Sequence, residues 1–587
     1  MSVPRETDVL VIGGGTTGAG VAWDASLRGH DVVLVDRSDL AMGTSGRFHG
    51  LLHSGGRYAV KDRPAAEECI VENRVLRRIA ADAVEDTGGL FVTTVDDDPA
   101  YGDALLAGCL DVGIEAAEIP VAEALRDEPR LTPTLLRAFT VPDAAIDVWK
   151  LVDALARAAR EQGARILAYH SVVALHVEGD RVVGARLRDE LSGEESDVRA
   201  RVTVNASGAW AGRVAGMAGC EGVEVLPGKG IMIAMNHRLV HTVINRCAMP
   251  ADGDILVPIR TVSVIGTTDI RVKDPDELDV TQEEVNQMLD DGERLVPGFR
   301  QARALRVWAG ARPLFRDAKQ AGVEDTRNIS RSHALLDHAQ RDGVGGFVTI
   351  TGGKLTSFRL MAQETVDAAV AQLDCDEGRP CATASTPLPG SEGGETYHLG
   401  ERLARREERL LDDQLICECE MVTRGQLEAA MRAKGTANLD DLRRSVRLGM
   451  GPCQGGFCIP RAAGILHAER HVDAAQASGA LHHFLQERWK GVWPILHGDN
   501  LRQSRLDDWI FQGVLGVNQL PGDASRLPSD GEAEGAGLIG PDEHDGPGPL
   551  AMGEARTNPD APAEDGDAHA GGVIPARSSS APRGTGS

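Results

Sequence analysis

Four cysteines carry a clear chemical signal. The chain has ten in 587 residues, and four fall in two short fragments, Cys417 and Cys419 in ICECE and Cys453 and Cys458 in GPCQGGFC. Four thiolates in two pairs form a ligand set for a structural zinc or for a [2Fe–2S] cluster. Structural zinc sites more often leave two residues between the cysteines of a pair, which neither fragment does. The glycines of CQGGFC permit a tight turn with N–H groups facing sulfur. The next stretch, IPRAAGILHAER, begins a helix whose N-terminal dipole suits an anionic cluster. The cluster is the favoured reading; zinc and ordinary buried or redox cysteines are the alternatives. Cys69, Cys109, Cys220, Cys247, Cys375 and Cys381 have no such spacing and read as inert thiols.

A second signal lies at the other end. VIGGGTTGAG sets Gly13, Gly15 and Gly18 in the pattern G-x-G-x-x-G. Gly13 suits the turn out of a strand, Gly15 lets backbone approach a pyrophosphate, and Gly18 allows close helix–strand packing. Asp36 follows 18 residues beyond Gly18, where an acid can bond ribose hydroxyls. A chance glycine turn is the alternative, but strand, turn, helix, strand and acid occur in register. The glycines do not choose between FAD and NAD.

These residues need a scaffold. TDVLVIGGG, TTGAGVAWDASLRGH and DVVLVDR form one β-α-β unit over residues 7–36. DRVVGARLRD and EESDVRARVTVNASGAW suggest a hairpin returning to a strand, and ILVPIRTVSVIGTTD is strand-like. FVTITGGKLTSFRLMAQETVDAAVAQL is strand, glycine turn and long helix, closing a first unit near Leu373. The expected organisation is an oxidoreductase unit over 1–375, a linker over 376–411, a cysteine domain over 412–468, a C-terminal segment over 469–520, and a disordered acidic tail over 521–587. No internal repeat is visible.

Several stretches resemble the FAD-dependent glycerol-3-phosphate dehydrogenases of the D-amino-acid-oxidase-like superfamily. RSDLAMGTSGRFHGLLHSGGRYAV looks like the loop that runs beneath the flavin; a polar surface loop is the alternative. VNASGAW looks like the strand-end turn that supports FAD. GARPLF presents Arg312, ISRSHALLDH presents Arg331, and TGGKLTSFRLMA presents Lys354. The resemblance implies an α/β fold, with a Rossmann-like FAD-binding domain interleaved with a β-rich substrate domain. It implies FAD contacts at Thr44, Ser45, Ala206, Gly208, Gly352, Gly353 and Thr356. It also implies a substrate pocket of His53, Arg57, Tyr58, Arg312, Arg331 and Lys354, with His53 the candidate base. His333 stands where aerobic members often have tyrosine.

The cysteine segment resembles the small helical BFD-like [2Fe–2S] domain. The whole folded chain is therefore similar to the family of catalytic chains of the anaerobic glycerol-3-phosphate dehydrogenases. That resemblance implies oxidation of sn-glycerol 3-phosphate to dihydroxyacetone phosphate. Electrons would pass from FAD through the cluster to a second flavoprotein subunit, then to an iron–sulfur membrane-anchor subunit, then to quinone. The chain would sit in the cytoplasm, peripherally on the inner face of the membrane.

Residue chemistry bears on this independently. A phosphorylated polyol needs several fixed cations, and arginine supplies planar multidentate donors. An amino-acid or hydroxyproline dehydrogenase, the first rival, needs one arginine and little more positive charge. A non-enzymatic flavin and cluster redox sensor is the second. The formal charge of −26 argues against nucleic acid as a partner. Acid-rich, lysine-poor composition suggests a halophilic source, with a plain acidic protein from a GC-rich genome as the alternative. The N-terminus lacks the basic stretch of a signal peptide, and no apolar run approaches a membrane span.

Overall fold

A computed structural model describes residues 3–316, 332–373, 379–408, 413–434, 436, 438–470 and 472–519. The first strand, Glu6–Ile12, is buried at Val9–Ile12 because both faces of its sheet are covered. It ends at Gly13, whose φ of +108° favours glycine. The helix Thr16–Leu27 then packs back, and Val32–Val35 returns parallel to the first strand. A Cβ on Gly18 would lie 1.8 Å from the Gly13 carbonyl oxygen, so only glycine lets the helix begin this close to the turn.

On the other side of the first strand lies Glu195–Asn205, also parallel, with Ile12 opposite Asn205. Phe347–Gly352 runs parallel beside that strand's end, with Asn205 opposite Thr349. The C-terminal ends of these parallel strands therefore converge, and each continues into a turn of small residues. The hairpin of His170–Glu178 with Arg181–Asp189 completes one edge, and Arg165–Leu167 the other.

A second, mostly antiparallel sheet of nine strands is built from residues 89–141 and 225–315. Its longest pair is Val225–Met235 with Ala304–Phe315. A hairpin, Ile255–Ile259 with Val262–Gly266, lies beside it. The chain enters this sheet twice between visits to the first, which produces the interleaved architecture.

The cysteine segment forms a small helical body. Leu415–Cys417 pairs with Val422–Thr423, and the helices Arg424–Lys434, Leu439–Val446, Cys458–Arg470 and Ala474–Val492 surround a core that includes Leu427, Leu442, Ile459, Leu466 and Phe484. Buried charge joins it to the larger body. Asp39 accepts from Lys434 at 2.7 Å and from Arg444 at 3.1 Å. Arg447 bonds Glu420 at 2.8 Å and reaches Asp147 across the junction at 3.4 Å. Asp147 also faces Arg260 at 3.5 Å. Despite burial, Arg447 and Arg260 hold the Asp147 carboxyl below its ordinary range. The Tyr169 hydroxyl donates to Asp441 at 2.7 Å.

The stretch read as a linker is packed where it is described. Leu388 is fully buried in the core of the first sheet, and the Tyr397 ring lies 3.3 Å under the Arg260 guanidinium. Two isolated apolar residues among Gly, Pro, Ser and Thr give no periodic signal, so sequence pattern does not reveal this strap. The tail expected from residue 521 lies outside the described residues.

Asp39→Ala leaves Lys434 without its carboxylate and Arg444 with only part of its compensation. Breaking a buried pair of this kind costs about 3 kcal/mol or more. A calorimetric melt of the variant is expected to show an earlier transition for the cysteine body. An unchanged melt would remove this ion pair from the junction's energetics.

Candidate functional site

Where the parallel strands end against the second sheet, a cavity of about 870 Å³ opens. Gly13, Gly15, Asp36, Thr44, Ser45, Ala206, Gly208, Gly352 and Gly353 line it, together with His53, Arg57, Tyr58, Arg312 and Lys354. Gly18 lies beneath the turn at Gly13. Thr356 is fully buried, and its hydroxyl accepts from the His53 backbone N–H at 3.2 Å. Arg331 lies outside the described residues.

One end is a backbone cradle. A Cβ on Gly13 would sit 2.6 Å from the Ala206 carbonyl oxygen, and one on Gly15 would sit 3.0 Å from Ser45 Oγ. The Thr16 N–H donates to Ser45 Oγ at 3.0 Å, tying the loop to the helix N-terminus. Asp36 accepts from the Gly14 N–H at 2.7 Å and from the Ser38 N–H at 2.9 Å. Burial pushes its carboxyl up, against those donors and the Ser38 hydroxyl. Asp36 thus holds the glycine turn as well as lining the cavity. A glycine turn that no side chain can enter, beneath a helix N-terminus, suits a dinucleotide pyrophosphate. The turn Gly352–Gly353, with φ of +78° and +72°, closes this wall.

The other end is cationic, and Arg57, Arg312 and Lys354 each face an acid. Arg57 meets Asp254 at 2.6 Å and Arg312 meets Asp269 at 2.9 Å. Arg312 also donates to the Thr268 carbonyl at 2.8 Å and to the Thr267 hydroxyl. Lys354 lies 3.5 Å from Glu68 and 5.6 Å from the centre of the Tyr58 ring. Burial opposes the charge of Lys354, but the neighbouring Glu68 carboxylate favours it, and its pKa lies above the ordinary value. Burial pushes the Cys69 thiol up to about 12, so it stays protonated. His53 and Tyr58 rings are 5.4 Å apart, and His49 is 6.1 Å from His53. Burial, then His49, Arg57 and Lys354, holds His53 well below its ordinary pKa. Burial, then Arg57 and Arg312, lowers His49 to about 3. Both imidazoles are neutral near pH 7. His333 bonds Glu364 at 2.7 Å and approaches Glu68 at 3.9 Å. It belongs to the ion cluster behind Lys354.

The four cysteines pair across the two fragments. Cys417 is in hydrogen-bond contact with Cys458, and Cys419 with Cys453. Cys453 is pulled down to about 6 by Cys419 and by the backbone N–H groups of Gly455, Phe457 and Gly456. Cys417 is lowered by Cys458, then by backbone donors at Gly449 and Glu420. Zinc bound by four cysteines would bring all four sulfurs within ~4 Å of one another. Among the described residues, only Cys220, His338 and Asp342 put three metal-ligand atoms within 4.8 Å of one another. Four thiols paired across the fragments, with backbone donors aimed at sulfur, are a donor set that suits a [2Fe–2S] cluster.

Residues 8–359 match the family described as FAD dependent oxidoreductase, and residues 415–468 match the BFD-like [2Fe-2S] binding domain. The A subunit of anaerobic glycerol-3-phosphate dehydrogenase from Escherichia coli strain K12 is 44% identical over 543 residues, covering 89% of this chain and 99% of the relative. The chain belongs to this family of FAD-dependent oxidoreductases. The A1 subunit of the enzyme of the same name from Haloferax volcanii is 42% identical over 545 residues, covering 88% of this chain and 92% of the relative. The glycerol-3-phosphate dehydrogenase of Bacillus halodurans, solved with FAD, superposes with a TM-score of 0.51 at 22% identity. It covers 90% of this chain and 96% of its own, and shares the fold.

In this family member the cradle would hold FAD and the cysteine pairs a [2Fe–2S] cluster. Sequence reasoning missed His49, Asp254, Asp269 and Glu68. The acids lie outside the motifs, and nothing in their local spacing ties them to the cations they orient. His49 lies in the loop expected beneath the flavin but had no partner to mark it.

Cys453→Ser removes one thiolate of the Cys419–Cys453 pair. The purified variant should lose the visible absorbance of the cluster and about two iron atoms per chain, while FAD content stays at the parent level. Loss of FAD together with iron would contradict the separation of the two sites.

Proposed function

We propose that this chain oxidises sn-glycerol 3-phosphate to dihydroxyacetone phosphate, as a catalytic subunit whose electrons reach a membrane quinone through partner subunits. The reading is carried by one observation: Arg57, Arg312, Lys354 and a neutral His53 surround the end of the cavity opened by the dinucleotide cradle. The relatives' names agree with it. FAD, when bound, supplies a two-electron acceptor for the hydride on C2. The chain's own residues do the rest. Asp254, Asp269 and Glu68 fix the cations before substrate arrives, which limits the ordering cost of binding a phosphate dianion. Lys354 is buried, and Arg57 and Arg312 are only partly exposed, which limits competition from water. An imidazole nitrogen of His53 accepts the C2 hydroxyl proton, which a charged imidazole could not do.

An amino-acid substrate would present one carboxylate to three cations, a poorer match in charge. The names of the relatives mark each of them as one component of a larger assembly, which supports partners here too. Within such an assembly a second flavoprotein subunit, together with an iron–sulfur membrane-anchor subunit, would take the electrons onward. Among the described residues no helix is long and apolar enough to cross a membrane, so membrane attachment would come from such a partner. Dye-linked turnover of purified holoprotein tests the substrate. Activity with glycerol 3-phosphate and none with proline or glycine is expected, and the reverse would overturn the reading.

Two further outcomes follow from the pocket. Removing one phosphate contact by Arg312→Ala or Lys354→Ala should cost about 1.5–3 kcal/mol, roughly ten- to hundredfold. The loss should appear in preference for glycerol 3-phosphate over glycerol, with FAD retained. Unchanged preference in both variants would show that neither residue reads the phosphate. Because His53 is held below its ordinary pKa, its proton-accepting form persists as pH falls from 7. The acid limb of kcat/KM should therefore lie below about pH 6.5. A limb centred at or above that value, abolished in His53→Gln, would contradict the depressed pKa.

A further inference from the structure

His53 stands in a loop between the short strand Leu51–Leu52 and the turn Gly56–Tyr58. A loop leaves a side chain freedom, yet a base must lie within hydrogen-bond reach of the proton it takes. Here buried side chains hold the backbone on both sides of the residue. The His53 N–H donates to the Thr356 hydroxyl at 3.2 Å. The peptide unit that follows is held at both ends. Asn73 Nδ2 donates to its carbonyl oxygen, that of His53, at 3.0 Å, and to the Leu52 carbonyl at 3.3 Å. Its N–H, that of Ser54, donates to Asp143 Oδ1 at 2.7 Å. Asn73 and Asp143 are buried, and neither lines the cavity.

The two holding side chains are themselves fixed. Asn73 belongs to the helix Arg63–Ile79, and its Oδ1 accepts from Arg77 Nε at 2.9 Å, one turn on. That bond turns the amide oxygen toward Arg77 and the N–H groups toward the loop. Arg77 also donates to the Pro142 carbonyl at 3.0 Å and to the Asp143 carbonyl at 2.9 Å. Asp143 lies in the turn between Arg137–Val141 and Ala144–Ile146, and its Oδ2 accepts from Asn245 Nδ2 at 3.0 Å. Burial pushes the Asp143 carboxyl up, against the N–H and hydroxyl of Ser54 and the Asn245 amide. A Cβ on Gly89 would lie 2.6 Å from Asp143 Cβ, and one on Gly55 would lie 2.5 Å from the Ala66 carbonyl oxygen. Glycine at both positions lets strand and helix close on the loop. A circuit of hydrogen bonds therefore runs from the His53 carbonyl through Asn73, Arg77 and Asp143 back to the Ser54 N–H. Buried polar networks of this kind fix one local conformation.

We propose that Asn73 and Asp143 are positioning residues for His53, holding the peptide unit beside it so that its imidazole meets the C2 hydroxyl. The inference rests on the reading of His53 as the base and adds what places it. Neither residue reaches the cavity, so both act through His53. A misplacement of about 1 Å costs about a hundredfold in rate. The loss therefore falls on reduction of the flavin and leaves substrate affinity alone.

The test is a double-mutant cycle on holoprotein loaded with FAD and cluster. It reads the rate of flavin reduction by glycerol 3-phosphate in anaerobic stopped flow, in the parent, Asp143→Ala, His53→Gln and the combined variant. Asp143→Ala should slow reduction at saturating substrate at least tenfold, with half-saturating concentration and FAD content within about twofold. In the His53→Gln background the same change should slow it less than twofold, because no base is left to position. Asp143→Asn should stay within about threefold of the parent. Its amide oxygen still accepts from Ser54, and Asn245, whose buried Oδ1 has no partner among the described residues, turns to accept from the new amide. Equal slowing by Asp143→Ala in both backgrounds overturns the proposal, as does a loss confined to substrate affinity or no loss at all. His53→Gln as fast as the parent shows on its own that His53 is not the base, and the proposal falls with that reading. If Asp143→Ala does not load FAD, Asn73→Ala repeats the cycle. Loss of FAD from both variants would assign the network to the fold at large and overturn the proposal.

Discussion

Burying a charge is costly unless an opposite charge is buried with it, and the junction between the two bodies is made of such pairs. Asp39 meets Lys434 and Arg444, and Asp147 meets Arg447, only when the bodies are docked in one way, while Arg260 pairs with Asp147 inside the larger body. A misaligned docking would leave carboxylates and guanidinium groups desolvated and unmatched. This constraint sets the direction in which the cysteine loop faces. It brings Glu420, next to the ligand Cys419, against Thr261 at 3.3 Å.

The flavin site follows from a steric constraint of similar strictness. Gly13, Gly15 and Gly18 sit where a methyl group would strike backbone or a neighbouring side chain. The parallel strands on either side end at the same level, so their loops contribute to a single wall. The second sheet supplies the opposite wall, and with it Arg312 and the acids that orient Arg57 and Arg312. The first sheet brings Lys354 beside the cradle, and the crossing to the second sheet adds Arg312 with Asp254 and Asp269.

Much of this was legible in the sequence. Apolar runs ending in glycine marked the β-α-β unit. The odd spacing of Cys417, Cys419, Cys453 and Cys458 favoured iron–sulfur over zinc. The pairing of Cys417 with Cys458 and of Cys419 with Cys453 was not legible, because it depends on how a short strand meets a distant loop. The acids at Asp254, Asp269 and Glu68 were hidden for the same reason. Each is one carboxylate among 88, and only tertiary contact distinguishes it. The cations were found through motifs, yet the sequence suggested bare positive charge where the structure has oriented ion pairs. The strap at Leu388 and Tyr397 was lost in a composition typical of linkers.

The central claim is that one chain oxidises glycerol 3-phosphate at a flavin and moves the electrons internally to its own cluster. Anaerobic titration of the isolated holoprotein with glycerol 3-phosphate, followed by electron paramagnetic resonance, tests it most directly. A reduced-cluster signal that grows with added substrate, without any partner protein, is the expected result. A cluster that stays oxidised after excess substrate, although dithionite reduces it, would contradict the account.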